Sequence, residues 1–133
     1  MRIYYAKSKQ VPDEQAQKEL EFIKNSFKDS TIVYYKDGKY DPASLDSADI
    51  LIVTSTNYKF LVGRGIANQV VSAENGGKPI YILDTDQEGG YYLRLYEGYN
   101  IVDPKEWKDG YVRINPGTII DIDELLKDGK QKE

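Results

Sequence analysis

The side chains that carry most enzyme chemistry are missing from this 133-residue chain, which has no cysteine and no histidine. Disulfides, thiolate nucleophiles and thiolate or imidazole metal sites are therefore excluded. Every Ser-His or Cys-His pair is excluded as well. Any catalysis has to depend on Asp, Glu, Lys, Tyr or a bound ion. We expect no metal site and no cofactor.

Short polar side chains follow the apolar run DILIVTS at residues 49–55. Their hydroxyl and amide groups suit a ribose, a phosphate or a carboxylate, and they suit an ordinary loop equally well. The candidates for ligand binding are Thr54, Ser55 and Asn57, with Thr56 between them.

Two glycines flank an arginine in the segment Gly63-Arg64-Gly65. Glycine permits a positive φ angle and close backbone approach, and free N–H groups at a following helix start favour a phosphate or ribose oxygen. The guanidinium of Arg64 is able to bind a phosphate through two hydrogen bonds. The segment lacks the full dinucleotide-binding pattern, since Asn68 stands where the last glycine belongs, and it lacks the G-K-[ST] ending of a phosphate-binding P-loop. A tight connecting turn is the alternative.

A cluster of carboxylates follows the second long apolar run, KPIYILD. Asp84, Asp86 and Glu88 are predicted to lie at the same sheet edge as the glycine segment, where they would bind Mg²⁺ or a ribose hydroxyl. If the protein is an enzyme, Asp84 and Asp86 are the candidate catalytic residues. A solvated acidic turn is the alternative.

Tyrosine is abundant, with 12 residues against three phenylalanines and one tryptophan. Several tyrosines form doublets, and neighbours in a strand point to opposite faces. Each doublet therefore places one ring in the core and the other outward or along a pocket rim. Tyr4 and Tyr5 are candidates for stacking on a base, a contact that contributes about 1–3 kcal/mol per ring. Packing on a half-buried sheet is the alternative.

The elements that position these residues alternate between strand and helix. The apolar patterns predict a Rossmann-like three-layer α/β sandwich with a mainly parallel sheet. Asp13 is the predicted N-cap of the first helix, which has a purely structural role. The predicted strands span 2–6, 31–36, 49–55 and 78–84, and the predicted helices span 13–27, 42–48 (a single turn) and 64–74.

The pattern changes after Asp84. Short strand-like pieces at 91–97, 99–102 and 111–114 are predicted to extend one sheet edge or to form a flap over the site. A strand-like run from Thr118 then leads into a short helix capped by Asp121 or Asp123. We therefore expect one domain over 1–127, with a parallel core at 1–84, a β-rich extension and short helix at 85–127, and a disordered tail at 128–133.

Charge and hydropathy limit the partners. With 22 acidic and 18 basic residues the net charge is −4, and no segment supplies the clustered basic surface that duplex nucleic acid requires. Mean hydropathy is −0.62, and no apolar run reaches membrane-spanning length. The amino-terminal ten residues lack the apolar region of a signal peptide, so we expect a cytoplasmic protein without membrane contact.

Four segments of the first 84 residues carry a resemblance to a known family. MRIYYA at 1–6, Ala48-Asp49, GRGIANQ at 63–69 and GKPIYIL at 77–83 are similar to the nucleoside 2-deoxyribosyltransferase-like superfamily. The catalytic members of that superfamily present a nucleophilic glutamate on the helix after the glycine loop, and that position is Gln69 here. A carboxamide is not an anionic nucleophile. Glu74 lies five residues further along and is predicted to face elsewhere.

The resemblance and this departure from it together predict non-catalytic binding of a nucleotide or a nucleotide-derived signalling molecule. The protein would be a sensor or a sequestering protein, as small acidic phage counter-defence factors are. An N-glycosidic bond hydrolase or deoxyribosyltransferase is the alternative, and a ligand-free interaction protein is a second. We also expect a homo-oligomer, because a small domain has a shallow site that a neighbour would close.

Overall fold

The computed structural model describes residues 1–7, 11–34, 42–54, 60–86, 88–102 and 112–131. These residues form seven strands and four helices. In chain order they are β1 (Arg2–Ala6), α1 (Asp13–Ser26), β2 (Thr31–Val33), α2 (Pro42–Asp46), β3 (Ile50–Thr54), β4 (Leu61–Val62), α3 (Arg64–Asn75), β5 (Ile80–Thr85), β6 (Tyr91–Ile101), β7 (Val112–Ile119) and α4 (Ile122–Gln131).

The strands of the described chain form a single mixed sheet in the order β2-β1-β3-β5-β6-β7-β4. The first four strands in this order are parallel to one another. The contacts of β5 with β6, of β6 with β7 and of β7 with β4 are antiparallel. The predicted α/β class is confirmed, and the sheet is parallel at one end only.

The parallel strands are covered on both faces, because their apolar side chains point alternately to opposite sides. On one face, α2 and α3 pack against Tyr4, Leu51 and Val53. On the other face, α1 and α4 pack against Tyr5 and Ile52. Burial on both faces explains why β1 and β3 read as nearly continuous apolar runs.

The segment after residue 84 differs from the prediction of several short strands. Residues 91–101 form one long strand, β6, which pairs first with β5 and then with β7. The pairing of β6 with β7 is irregular around Gly98, which adopts a φ angle of +89°. An irregularity of this kind bends a strand without ending it, and periodicity in the sequence does not reveal it.

Sequence patterns do not predict β4, a strand of two residues that pairs with β7. Leu61 and Val62 are buried, and Ile114 of β7 also donates its N–H to the Phe60 carbonyl at 3.0 Å. The chain therefore does not pass directly from β3 into α3. Before α3 it forms β4, which pairs with β7 at the edge of the sheet opposite to β2.

The helix ends confirm one predicted cap and correct another. Asp121 accepts the N–H of Asp123 at 3.0 Å and caps α4, as predicted. The predicted cap at Asp13 is wrong, since Pro12 occupies the N-cap position of α1 with φ −60° and ψ 150°. Proline fixes φ near this value, and with Pro12 as the N-cap the helix begins at Asp13, one residue earlier than a cap at Asp13 requires. Asp13 instead pairs with Lys7 at 3.2 Å.

None of the helices in the described parts of the chain combines the length and apolar character needed to cross a membrane.

Candidate functional site

The carboxyl ends of β1 and β3 lie side by side and hold a buried polar cluster. The Tyr5 hydroxyl donates to Glu19 Oε1 at 2.6 Å, and Gln15 Nε2 donates to Glu19 Oε2 at 3.0 Å. Glu19 is only 2 % exposed. A glutamate of α1 is thus held beneath the edge of the sheet by one donor to each carboxyl oxygen.

Burial raises the pKa of Glu19. The hydrogen bonds from Tyr5 and Gln15 and the charge of Lys7 lower the pKa, but burial is the largest influence. Burial and, next, the nearby Glu19 carboxylate also raise the pKa of Tyr5, so this phenol keeps its proton and remains a donor. The same two causes, in the same order, raise the pKa of Tyr91.

Thr54 is the last residue of β3. It lies beside this cluster and is 2 % exposed. The Thr54 hydroxyl is near enough to the Glu19 carboxyl to lower the pKa of that carboxyl. No hydrogen bond of acceptable geometry links the two, and Oγ1 has no partner in the described chain. The hydroxyl is therefore close to Glu19 but unpaired.

Gln69 is buried on the inner face of α3, 6 % exposed, in line with Ile66, Val70 and Ala73. Its Oε1 atom also lacks a hydrogen-bond partner among the described residues. Glu74 faces elsewhere, as predicted, because it is exposed and accepts the Tyr96 hydroxyl at 2.9 Å. The position that the resemblance assigns to a catalytic glutamate thus holds a buried carboxamide whose oxygen has no partner among the described residues.

The glycine segment forms the start of α3, as the sequence predicted. Gly63 is the N-cap with φ −72° and ψ 170°, and Gly65 lies inside the first turn, so neither uses the positive φ that glycine permits. The reason is that the chain enters α3 from the extended strand β4, and an extended residue is the normal N-cap conformation. No side chain caps this helix start, and Arg64 is exposed there.

Tyr4 and Tyr5 point to opposite faces of β1, as the alternation predicted. The expectation that one ring of the pair points outward or along a rim is wrong, since both are at least 98 % buried, with 2 % and 1 % exposed. Tyr4 packs with the α3 side of the core and Tyr5 with the α1 side. A central strand with helices on both faces has no outward side.

Asp84 lies at the carboxyl end of β5 and is paired within the fold. Its Oδ2 atom accepts Arg94 Nε at 3.0 Å and the Tyr92 hydroxyl at 2.9 Å. Arg94 also donates to the Gly117 carbonyl at 3.1 Å. The hydrogen bonds to Asp84 and Tyr92 raise the pKa of the Arg94 guanidinium. This network connects β5, β6 and β7.

Asp86 holds the turn that follows β5. Its Oδ1 atom accepts the N–H groups of Glu88 at 2.9 Å and Gly90 at 2.8 Å. Asp86 and Glu88 are exposed. This is the arrangement that the solvated-turn alternative predicted. In the described ranges no group of three or more acidic side chains is placed to hold a metal ion.

Two of the predicted ligand residues, Ser55 and Asn57, lie outside the described residues, as does Thr56 between them. Tyr91 packs on Phe22 of α1 with ring centroids 5.7 Å apart, and Tyr92 bonds to Asp84. Both tyrosines therefore make contacts within the fold.

Glu19 is the residue that sequence reasoning missed, because α1 was interpreted as purely structural. A signal was present: position 19 lies on the helix face that carries Ala16, Leu20 and Ile23. A glutamate within an apolar stripe is unusual, since carboxylates are almost never fully buried unless paired.

A groove lies between α1 and α4. The groove has a volume of about 1290 Å³ and reaches the amino ends of β1, β3 and β5. Its walls include Phe22, Tyr81, Leu93 and Leu125. Sequence patterns alone did not indicate this groove.

No protein-family model matches the chain, and no curated protein matches it.

Proposed function

We propose that this protein binds a nucleotide-type ligand at the carboxyl ends of β1 and β3 and holds it unchanged. The observation that carries the proposal is the order of the parallel strands. β1 and β3 are neighbours, yet the helix after β1 packs on one face and α3, which follows β3 and β4, packs on the other. Open α/β sheets bind their ligands in the crevice created by such a reversal.

Polar groups at this end of the sheet support a binding role. Thr54 Oγ1 and Gln69 Oε1 are buried without partners in the described chain. Buried polar groups in folded proteins nearly always have a partner, and a bound ligand is one way to supply it. The uncapped start of α3 with Arg64 offers N–H groups and a cation for a phosphate.

The proposal includes the architecture and family that the sequence suggested. The chain would be a divergent, Rossmann-like member of the nucleoside 2-deoxyribosyltransferase-like superfamily with a β-rich C-terminal extension. Gln69 in place of the nucleophilic glutamate supports binding without turnover. A sensor or a sequestering protein for a signalling nucleotide, as in phage counter-defence, is the biological role that fits binding alone.

Native mass spectrometry tests this function. Purified protein is mixed with the four ribonucleoside 5′-monophosphates, ADP-ribose and cyclic dinucleotides, and the retained ligand is released and weighed. We expect one class of nucleotide to be retained with its mass unchanged. If no member of the panel binds at micromolar concentration, the proposed function is wrong.

The substitution Arg64→Ala tests whether the phosphate of the ligand binds at the start of α3. Loss of a guanidinium beside the helix start should weaken phosphate binding about tenfold at low salt. Lys24→Ala removes the same charge from the exposed last turn of α1 and should leave binding unchanged. Equal effects of the two substitutions would argue against a phosphate at α3.

An N-glycosidic bond hydrolase or transferase is the second candidate, and one observation favours it. The buried Glu19 carboxyl supplies an acidic group at the strand ends that Gln69 does not. Asp84 and Asp86 remain the carboxylates first considered, although both bond within the fold. Release of free base that is abolished by Glu19→Gln, Asp84→Asn or Asp86→Asn would support the enzyme and identify its carboxylate.

A homo-oligomer is part of the proposal. Ile101 and Ile119 are 81 % and 60 % exposed on the antiparallel strands β6 and β7. The strand register places these two side chains at opposite ends of the β6–β7 pair, beside Val112 and Arg94, so the proposed contact would extend along both strands.

A further inference from the structure

The Thr54 hydroxyl is in a position that the folded chain alone does not explain. It is buried at the last residue of β3 and unpaired in the described chain. A valine has nearly the same branched shape and would pack there without an unpaired polar atom. Leaving a buried hydroxyl unpaired disfavours the folded state. The hydroxyl is accounted for if a ligand provides its partner.

The groups around Thr54 restrict the chemistry of that partner. The Glu19 carboxyl lies next to the hydroxyl, and each of its oxygens already accepts one hydrogen bond but has capacity for another. A phosphate is disfavoured here because it would place an anion beside a carboxyl and brings no donor. An exocyclic base amine donates to the carboxyl but is a poor acceptor for the Thr54 O–H. A hydroxyl both donates and accepts.

We infer that Thr54 and Glu19 form the subsite for a ribose hydroxyl of the bound nucleotide, an inference that rests on the proposed function. The ribose hydroxyl donates to Glu19 and accepts from Thr54 Oγ1. Tyr5 and Gln15 hold the carboxyl in place and are positioning residues, since they contact Glu19 from the protein side. The sugar therefore lies toward α1, and the phosphate lies toward the start of α3. The site selects ribonucleotides over deoxyribonucleotides.

The experiment measures binding of adenosine, guanosine, cytidine and uridine 5′-monophosphates and of their 2′-deoxy and 3′-deoxy forms by isothermal titration calorimetry. The full chain is used as wild type, Thr54→Val and Thr54→Ser. For the base that binds, we expect the ribonucleotide to bind about tenfold more tightly than one of its deoxy forms, the effect of about one hydrogen bond. That preference should disappear in Thr54→Val and persist in Thr54→Ser.

A stability measurement separates this role from simple packing. Thr54→Val should unfold at a higher urea concentration than wild type, because it removes an unpaired buried hydroxyl, while its ribonucleotide affinity falls. A packing role alone would change stability and leave the ribose preference intact.

The possible failures are distinguishable. If the wild type binds ribonucleotides and deoxyribonucleotides equally, or if Thr54→Val keeps the preference, the ribose subsite is wrong and the proposed function stands. If the affinity depends on which base the nucleotide carries and not on its ribose hydroxyls, a base amine occupies the subsite. The inference is then wrong as well. If the wild type binds no nucleotide of any kind, the proposed function and this inference both fail.

Discussion

Glu19 shows how one buried carboxyl can be retained in an apolar helix face. Removing a carboxylate from water is costly, and the two hydrogen bonds from Tyr5 and Gln15 offset only part of that cost. The remaining cost is reflected in the raised pKa of Glu19, whose first cause is burial. A residue with this environment at a sheet edge is a candidate for function, although internal networks shift pKa values as well.

The raised pKa of Glu19 predicts a pH dependence of stability. The unfolded chain releases this proton near the ordinary glutamate pKa of about 4.3, and the folded chain holds it to higher pH. The contribution of the protonated Glu19 carboxyl to stability is fully present below the glutamate pKa of the unfolded chain. It is lost as the pH rises through the pKa of Glu19 in the folded chain. Glu19→Gln does not titrate at this position, so its free energy of unfolding should rise relative to that of wild type as the pH increases above about 4.3.

Urea unfolding followed by circular dichroism at several pH values measures this difference. Glu21→Gln, on the exposed side of the same helix, is the control and should run parallel to wild type. A constant difference between Glu19→Gln and wild type across the pH range would contradict the prediction.

Gln69 gives a second prediction at the residue scale. If the proposed family relation is right, Gln69→Glu restores a carboxylate at the catalytic position and should raise the release of free base from the bound nucleotide. It also buries a carboxyl where a carboxamide was, so stability should fall by about 1–3 kcal/mol. Gln69→Leu is the control, since it leaves no hydrogen-bonding group. A stable Gln69→Glu variant that binds nucleotide but releases no base would contradict the alignment.

At the scale of elements, substitution of two glycines should change stability in opposite directions, because their backbone conformations differ. Gly98 adopts φ +89° within the bent strand β6, and Gly65 lies in the first turn of α3. A Cβ atom would meet nothing within 4 Å at either position. The backbone conformation alone therefore decides the effect of a substitution.

Gly98→Ala should destabilise the protein by about 1–2 kcal/mol because alanine is strained at that φ. Gly65→Ala should stabilise it by about 0.5–1 kcal/mol because alanine favours a helix. Thermal or urea unfolding of the two single variants checks both signs. Stabilisation by Gly98→Ala would show that β6 does not bend through this glycine.

Elements were also the level at which the sequence was most informative. The apolar runs predicted β1, β3, β5 and both long helices near their observed ends, because burial on two faces leaves a strong local pattern. β4 escaped prediction, because two residues carry no period and pair only with a strand about 50 positions away. The long β6 was divided into pieces at its glycine, since a bend and a strand end look alike in sequence.

At the scale of the whole molecule, the exposed isoleucines of β6 and β7 predict self-association. Analytical ultracentrifugation should show an oligomer for the wild type. Ile101→Lys should shift it toward monomer, because a charge at the contact is costly to bury. Lys127→Ile, a change of the reverse kind on exposed α4, is the control for a general effect of surface charge. A monomeric wild type at micromolar concentration would contradict the prediction.

The amino-acid sequence shows which side-chain chemistry is absent, and its apolar patterns predict the types of most helices and strands. The lack of histidine and cysteine and the alternating apolar patterns are local properties, and folding does not alter them. The tertiary structure decided which polar groups meet. Glu19 and Tyr5 are 14 positions apart, and Asp84 and Arg94 meet across β5 and β6. Such contacts depend on strand order and on which helix covers which face, and no local pattern encodes either.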